Sequence, residues 1–285
     1  TGDIVNAESL AEKLKERPLI YGKTLELLGN YYKEQNNYLK AEKFFTDVLE
    51  SETSMEVKNR AAISLAVILR DNSNFNRSDY YLNRIEDPVF YPDRDSLLIV
   101  NLFLSGNETT GAAMTLKRID EIKKSDYTED VVKLNLLYYF NAKNQRRFNF
   151  FASMLKNNKD NNHLVEYHLG RLAYDTGDYN KAFNHFNRLS SGDNVYKSES
   201  NYYLGMIGLL FYKNRNTAIR YFTRAVENPN SRNEFVQKSK LNLAVIYNEN
   251  KNLSLSKKFL SEIIDESSRG RYKIEAENLW HYFNY

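Results

Sequence analysis

Cysteine is missing altogether from these 285 residues, tryptophan occurs once, and no stretch of the chain carries a marked excess of one charge. The first absence excludes disulfides, thiolate catalysis and cysteine-ligated metals, and it fits cytoplasm and cell envelope alike. Lys+Arg total 40 against Asp+Glu 37, a net +3 with no block of five or six like charges, so nothing advertises nucleic acid or an anionic membrane as a partner. No apolar run approaches the roughly 18 residues that a membrane-spanning helix needs, and the opening residues lack a charged-then-apolar leader. Glycine never occurs as Gly-x-Gly, and the one Gly-Lys-Thr, Gly22-Lys23-Thr24, has Arg17 where a phosphate loop needs its first glycine, which removes the usual cradles for nucleotide phosphates. What is present, 42% hydrophobic and 27% charged residues, suffices for a continuous core and a well-solvated surface and argues against disorder.

A motif then recurs. Leu25, Leu28, Gly29 and Tyr32 are followed by a polar turn at Asn36-Asn37 and by Ala41, Phe45 and Val48. The same letters return as Leu169-Gly170, a turn at Asp175-Thr176-Gly177-Asp178, and Tyr179, Ala182, Phe186 and Leu189. In both copies the small residue of the second helix lies 12 residues after the glycine of the first. Small residues on two helices let the backbones approach closely, and a phenylalanine one turn later fills the groove beside them. This pattern resembles the tetratricopeptide repeat, a unit of two antiparallel helices, with Leu25 in place of the family's tryptophan.

Weaker copies fill the intervals. Leu65-Ala66 goes with Phe75 and Leu82, Ile99-Val100 with Phe103, Ala112 and Leu116, and Leu243-Ala244 with Tyr247, Ser256, Leu260 and Ile263. Leu204-Gly205 goes with Ala218, Phe222 and Ala225 at a spacing of 13, which implies an extra residue in the turn 213–216. In 131–155, Leu136 takes the small position, with Phe148 opposite and Ala152 where Phe is expected, a swap of large and small. The small position thus falls at 29, 66, 100, 136, 170, 205 and 244. Turn residues Asn72-Ser73-Asn74 and Asn248-Glu249-Asn250 are read as equivalents of Asn36-Asn37.

The resemblance implies an all-α, right-handed superhelical solenoid of antiparallel helix pairs with about seven repeats. The expected organisation is a leading helix in 1–20, the solenoid in 21–265 and a C-terminal capping helix in 266–285, with a hinge near 86–95 marked by Pro88 and Pro92.

Several constellations have plainer readings. His163 and His168 are five residues apart, which sets them about 140° apart around a helix, so they cannot share one metal ion. Gly205-Met-Ile-Gly208 lies mid-helix and reads as close helix contact. Lys213, Arg215, Arg220 and Arg224 read as a solvated face. The carboxylates are scattered, so no catalytic site, metal or cofactor is expected.

What the core leaves unexplained is a set of first-helix positions that, in the family, line a concave groove: Leu137, Phe140, Tyr167, Arg171, Tyr174, Tyr202, Met206, Leu209, Asn242 and Val245. Carried over, they form an apolar and aromatic surface of the kind that binds other proteins or peptides. The resemblance therefore implies a non-enzymatic scaffold or adaptor that holds protein partners, not nucleic acid, and that inserts into no membrane. A regulatory domain that senses a peptide or small ligand is the alternative. The wealth of Asn, Lys, Ile and Tyr reads as the codon bias of an AT-rich bacterial genome. On that reading the bacterial periplasm or cell envelope is favoured over the cytoplasm, in the assembly of an envelope or motility complex such as that of periplasmic flagella.

Overall fold

The computed structural model describes residues 2–121, 128–156, 161–227, 234–266 and 270–285. Among them there are sixteen α-helices and no strand. Fourteen helices form seven consecutive pairs: α2 (Pro18–Glu34) with α3 (Tyr38–Glu50), α4 (Met55–Asp71) with α5 (Phe75–Leu82), α6 (Tyr91–Leu104) with α7 (Glu108–Glu121), α8 (Glu129–Asn141) with α9 (Gln145–Leu155), α10 (Asn162–Asp175) with α11 (Tyr179–Leu189), α12 (Lys197–Met206) with α13 (Arg215–Val226), and α14 (Glu234–Glu249) with α15 (Leu253–Glu266). Single helices flank them, α1 (Gly2–Lys13) and α16 (Arg271–Tyr282). The chain divides into two compact units, residues 1–151 and 152–285. Pro88–Phe90 is one tight helical turn that runs into α6 within the first unit, with the Asp87 carboxylate accepting from the Val89 amide.

One turn joins the two helices of every pair. Its penultimate residue sits in the left-handed region, at Asn36, Ser73, Gly106, Lys143, Gly177, Lys213 and Lys251, with φ between 51° and 87°. The next residue is Asn37, Asn74, Asn107, Asn144, Asp178, Asn214 or Asn252, and its carbonyl accepts from the residue four further on, which starts the second helix. In five pairs the side chain of that Asn or Asp also accepts an amide proton of the first helical turn. An Asn or Asp N-cap satisfies one of the helix's orphan amides and stabilises it by about 1 kcal/mol. Five of the seven left-handed residues are not glycine, so the rest of the turn holds them there against a steric cost.

Counting from these caps corrects three readings. In the third pair Ile99 and Gly111 hold the paired positions, not Val100 and Ala112. In the seventh, the turn lies at Lys251-Asn252 and not at Asn248–Asn250, which closes α14. In the sixth, the extra residue is not in the turn 213–216. It widens the end of α12 into a π-helical turn, Ile207–Phe211, where the Tyr212 amide bonds the Ile207 carbonyl at 3.0 Å and the Asn214 amide reaches back six residues to Gly208. A helix absorbs one residue by widening locally, whereas the left-handed turn and its cap have no slack.

In four pairs the close approach is a contact between a backbone and a ring, and in the second and seventh the Ser78 or Ser256 hydroxyl donates to the Ala66 or Ala244 carbonyl. A Cβ built on Gly29, Gly170 or Gly205 would sit 2.7, 2.8 or 2.6 Å from the ring of Phe45, Phe186 or Phe222, and each of these phenylalanines is fully buried. The third pair inverts the device: Gly111 lies on the second helix and its Cβ would meet Phe103 of the first at 2.8 Å. At the ends, Ile4, Ala7 and Ala11 of α1 pack on Leu25, Leu28 and Tyr32, while Ala276, Leu279 and Trp280 of α16 pack on Leu241, Leu260 and Ile263. Substituting Gly170 by alanine sets a helix-propensity gain of about 1 kcal/mol against an overpacking cost of about 1–3 kcal/mol. Because Phe186 is walled in, the cost should win: Gly170→Ala lowers stability by about 1 kcal/mol, Gly170→Leu by about 3 kcal/mol, and Phe186→Leu in the Gly170→Ala background recovers part of the loss, as read by denaturant unfolding.

Candidate functional site

The ten groove positions fall in both units. Leu137 and Phe140 lie half-buried on α8 of the first, where the Phe140 ring leans on Phe148 at 6.2 Å. The other eight lie on the first helices of the pairs of the second unit, α10, α12 and α14, with Leu209 in the π-helical turn that follows α12.

Tyr167 is not an exposed groove residue. It is 6% exposed, stacked on Tyr196 at 4.5 Å and 14°, with Phe186 at 6.2 Å behind it. Its phenol accepts from Arg171 Nη1 at 3.3 Å and hydrogen-bonds the Glu199 carboxylate at the start of α12. Burial pushes the Tyr167 phenol far above its ordinary range. Burial also raises the Glu199 carboxyl, against the downward pull of Tyr167 and Arg171. The Arg171 guanidinium lies 5.0 Å over the Tyr203 ring, and Tyr203 meets Tyr174 at 5.0 Å. Burial disfavours the Arg171 charge, but the hydrogen bond to Tyr167 and the fields of Tyr203 and Asp175 outweigh it, so its pKa rises. Tyr167, Arg171 and Tyr174 are therefore tied into one polar and aromatic cluster that braces α10 against α12.

Tyr202, Asn242 and Val245 do line open space. With Lys238, Leu241 and Leu279 they surround a cleft of about 510 Å³ between α12, α14 and α16. A second cleft of about 620 Å³ is lined by Leu209, Asn242, Val245 and the Arg215–Glu249 ion pair (2.6 Å). Val245 and Asn242 belong to both. The cations of the first cleft are already paired: Lys238 with Glu234 at 2.5 Å, and Arg271 with Glu275 at 2.9 Å. Tyr272 donates to Glu234 at 2.9 Å, and burial together with that acceptor pushes its phenol up to about 12. The cleft is thus apolar at its centre and charge-balanced at its rim.

Lys238, Arg271, Tyr272 and Glu275 were not among the expected site residues. Their signal was present as two ion pairs at i,i+4 spacing, Glu234/Lys238 and Arg271/Glu275. The terminal helix was read only as a cap, although its residues from Arg271 to Leu279 form one wall of the cleft.

The other constellations resolve locally. His163 is exposed on α10, whereas His168 is buried with Nδ1 2.8 Å from the Leu164 carbonyl, and burial lowers its pKa. Arg220 and Arg224 lie over the Tyr221 ring at 4.9 and 5.7 Å. Gly205 faces Phe222, and a Cβ on Gly208 would sit 3.1 Å from the Ala218 amide, so both glycines serve helix contact. Among the described residues no three His, Asp or Glu side chains gather as a metal site would require.

A tetratricopeptide-repeat family model matches residues 22–54, the first helix pair. No match to the sequence is found among curated proteins. Among solved structures, the apo form of the quorum sensor NprR from B. thuringiensis is similar over 90% of this chain and 79% of its own, with a TM-score of 0.59 and 12% identity. A human IFIT1 dimer with PPP-AAAA is similar over 91% of this chain and 67% of its own, with a TM-score of 0.45 and 13% identity. At 12% identity the likeness to NprR is one of fold, and it agrees with the seven helix pairs: the chain is built as a tetratricopeptide-like helical repeat.

Two of the expected groove residues, one buried and one facing open space, should now separate on substitution. Tyr167→Ala empties a buried aromatic site and should cost about 3 kcal/mol or more, while Val245→Ala should cost about 1 kcal/mol or less. Thermal unfolding followed by circular dichroism measures both, and equal shifts would show that the burial of Tyr167 does not support the fold.

Proposed function

We propose that this protein is a non-enzymatic scaffold that holds a short segment of a partner polypeptide in the cleft between α12, α14 and α16. The observation that carries this reading is the half-buried set Tyr202, Val245 and Leu279 around the buried Leu241, open to solvent among paired charges. Sites that bind short segments combine an apolar floor with a few polar groups that fix orientation, and they commonly span about 300–1,000 Å³. A cleft of about 510 Å³ falls in that range and favours a peptide segment over a flat protein surface. Its ion pairs leave no unbalanced cationic strip for a phosphate backbone, which with a net charge of +3 argues against nucleic acid.

The same cleft supports the second reading, a regulatory domain that senses a peptide. There the terminal helix α16 is the element that a bound segment would brace, since it supplies Arg271, Tyr272, Glu275 and Leu279 from outside the seven pairs. Both readings predict the same first result. In quantitative pull-downs from cells of the native source, Val245→Glu should remove at least nine-tenths of the specific partner captured by the parent chain and leave the helical spectrum unchanged. Retention of every partner by the folded variant would show that binding lies elsewhere.

A further inference from the structure

The second cleft, beside α14, has a counterpart in the first unit, and the two differ in chemistry. Relative to the capped turns the seventh pair repeats the second: Leu243-Ala244-Val245-Ile246 stands where Leu65-Ala66-Val67-Ile68 does, and Glu249 where Asp71 does. Beside Ile68 and Asp71 lies a cleft of about 340 Å³, lined also by Lys33 and Glu34 at the end of α2 and by Asn36 and Tyr38 at the following turn. Counted from Gly29 and Gly205, the places of Lys33 and Glu34 fall to Leu209 and Leu210, and those of Asn36 and Tyr38 at the turn fall to Lys213 and Arg215. These four line the larger cleft of about 620 Å³. On the same floor, a charged wall with a neutral turn has been exchanged for an apolar wall with a cationic turn.

The π-helical turn makes the room. Its added residue sets Leu209 and Leu210 one residue further from the cap than Lys33 and Glu34 are, and Leu210 is carried outward, 62% exposed. Charge is not balanced here as it is in the first cleft. Arg215 gives Nη2 to Glu249 at 2.6 Å, while Lys213 has no ion-pair partner among the described residues. The backbone of Lys213 is fixed, with φ 51° and with the next amide, that of Asn214, bonded to the Gly208 carbonyl at 2.8 Å. One positive charge thus stands at the mouth of a leucine-walled cleft, and the group that complements it is a carboxylate beside an apolar neighbour. A single lysine next to an ion pair does not suit a phosphate backbone, which is met by a row of cations.

The two clefts share Asn242 and Val245, so one occupant can reach both. From Leu241 on the floor of the first to Glu249 at the mouth of the second, α14 rises about 12 Å at 1.5 Å per residue. An extended chain covers that length in about four residues. We propose that the second cleft is the specificity site for the partner segment held in the first: it takes an aspartate or glutamate side chain, set beside an apolar residue, about four residues along from the residue that fills the first cleft. This rests on the reading that a segment lies in the first cleft. The carboxylate is a side chain's and not a chain end's. A terminal carboxylate is captured by converging backbone amides, whereas at this turn the amides of Tyr212, Asn214 and Thr217 are already bonded to Ile207, to Gly208 and to the Asn214 side chain.

The test is a selection that presumes no partner sequence. Random peptides of about ten residues, displayed on phage between fixed spacers so that no free carboxyl terminus is offered, are selected on the immobilised full chain and on its Lys213→Glu and Val245→Glu variants. The parent should recover sequences with Asp or Glu about four positions from an apolar or aromatic residue, and Lys213→Glu should recover Lys or Arg in place of the acid. A synthetic peptide of the parent's consensus, followed by fluorescence anisotropy, should bind Lys213→Glu at least tenfold more weakly at about 50 mM salt, and the ratio should shrink at about 500 mM, because exposed charges are screened. Lys213 is exposed, so this variant should keep the parent's helical spectrum and melting temperature. Sequences that need Val245 but show no acidic preference, or an acidic consensus that Lys213→Glu binds as well as the parent does, overturn the proposal and leave the role of the first cleft standing. Recovery of no sequence whose capture Val245→Glu abolishes overturns both.

Discussion

Two helices lie closest where one backbone yields to a bulky side chain of the other, and in four of the seven pairs a glycine meets that constraint. Gly29, Gly170 and Gly205 stand where a Cβ would come within 3 Å of a buried phenylalanine ring. Where the first helix carries a larger residue the yielding residue moves across: Ile99 replaces glycine in the third pair, and Gly111 on the second helix gives way to Phe103. The summed volume is kept while the letters change places, which is what a close-packed interior tolerates best. Sequence degeneracy in the middle pairs is thus a redistribution of volume and not a loss of the fold.

The turn is the stiffer part. Each of the seven has a left-handed residue followed by an Asn or Asp, though the sequence around it varies widely. This stiffness explains the sixth pair. An added residue could be accommodated in the turn only by breaking the cap, at about 1 kcal/mol plus the orphaned amides, whereas a helix takes it as one π-turn. The widened end carries Leu210, Phe211 and Tyr212 outward, 62%, 46% and 41% exposed, and the two rings then rest on Tyr179 and Phe183 of α11. The insertion is absorbed by aromatic packing on the neighbouring pair.

The all-helical repeat was legible because Gly, Ala and Phe at fixed offsets report a physical contact, and the two strict copies set a register for the rest. The third pair was misplaced by one residue because Ile99 and Val100 are both buried and neither is small, so the glycine-based signal had nothing to hold. The Asn or Asp caps would have placed it: Asn107 stands four residues before Gly111 as Asn37 stands before Ala41. The site was less legible than the fold. Repeat position identified which face of α14 is open, hence Asn242 and Val245, but it could not foresee the contribution of α16, a helix outside the repeat with its own spacing.

Tyr167 and Tyr202 show why position in the repeat does not by itself define a binding surface. They are equivalent, and each is approached by the residue that opens the next pair, Tyr196 in one case and Phe235 in the other. Tyr196 lies flat on Tyr167, at 4.5 Å and 14°, and shuts it away, with Arg171 and Glu199 closing the edge. Phe235 meets Tyr202 at 5.4 Å and 59°, which leaves part of the ring uncovered beside Lys238 and the apolar floor of the cleft. A change of ring angle at one neighbour converts the same residue from a brace between helices into the wall of a site. Across a repeat array, therefore, the candidates for partner binding are the places where the next unit packs obliquely. In this protein the Tyr202 cleft is such a place, because there the neighbouring ring is oblique.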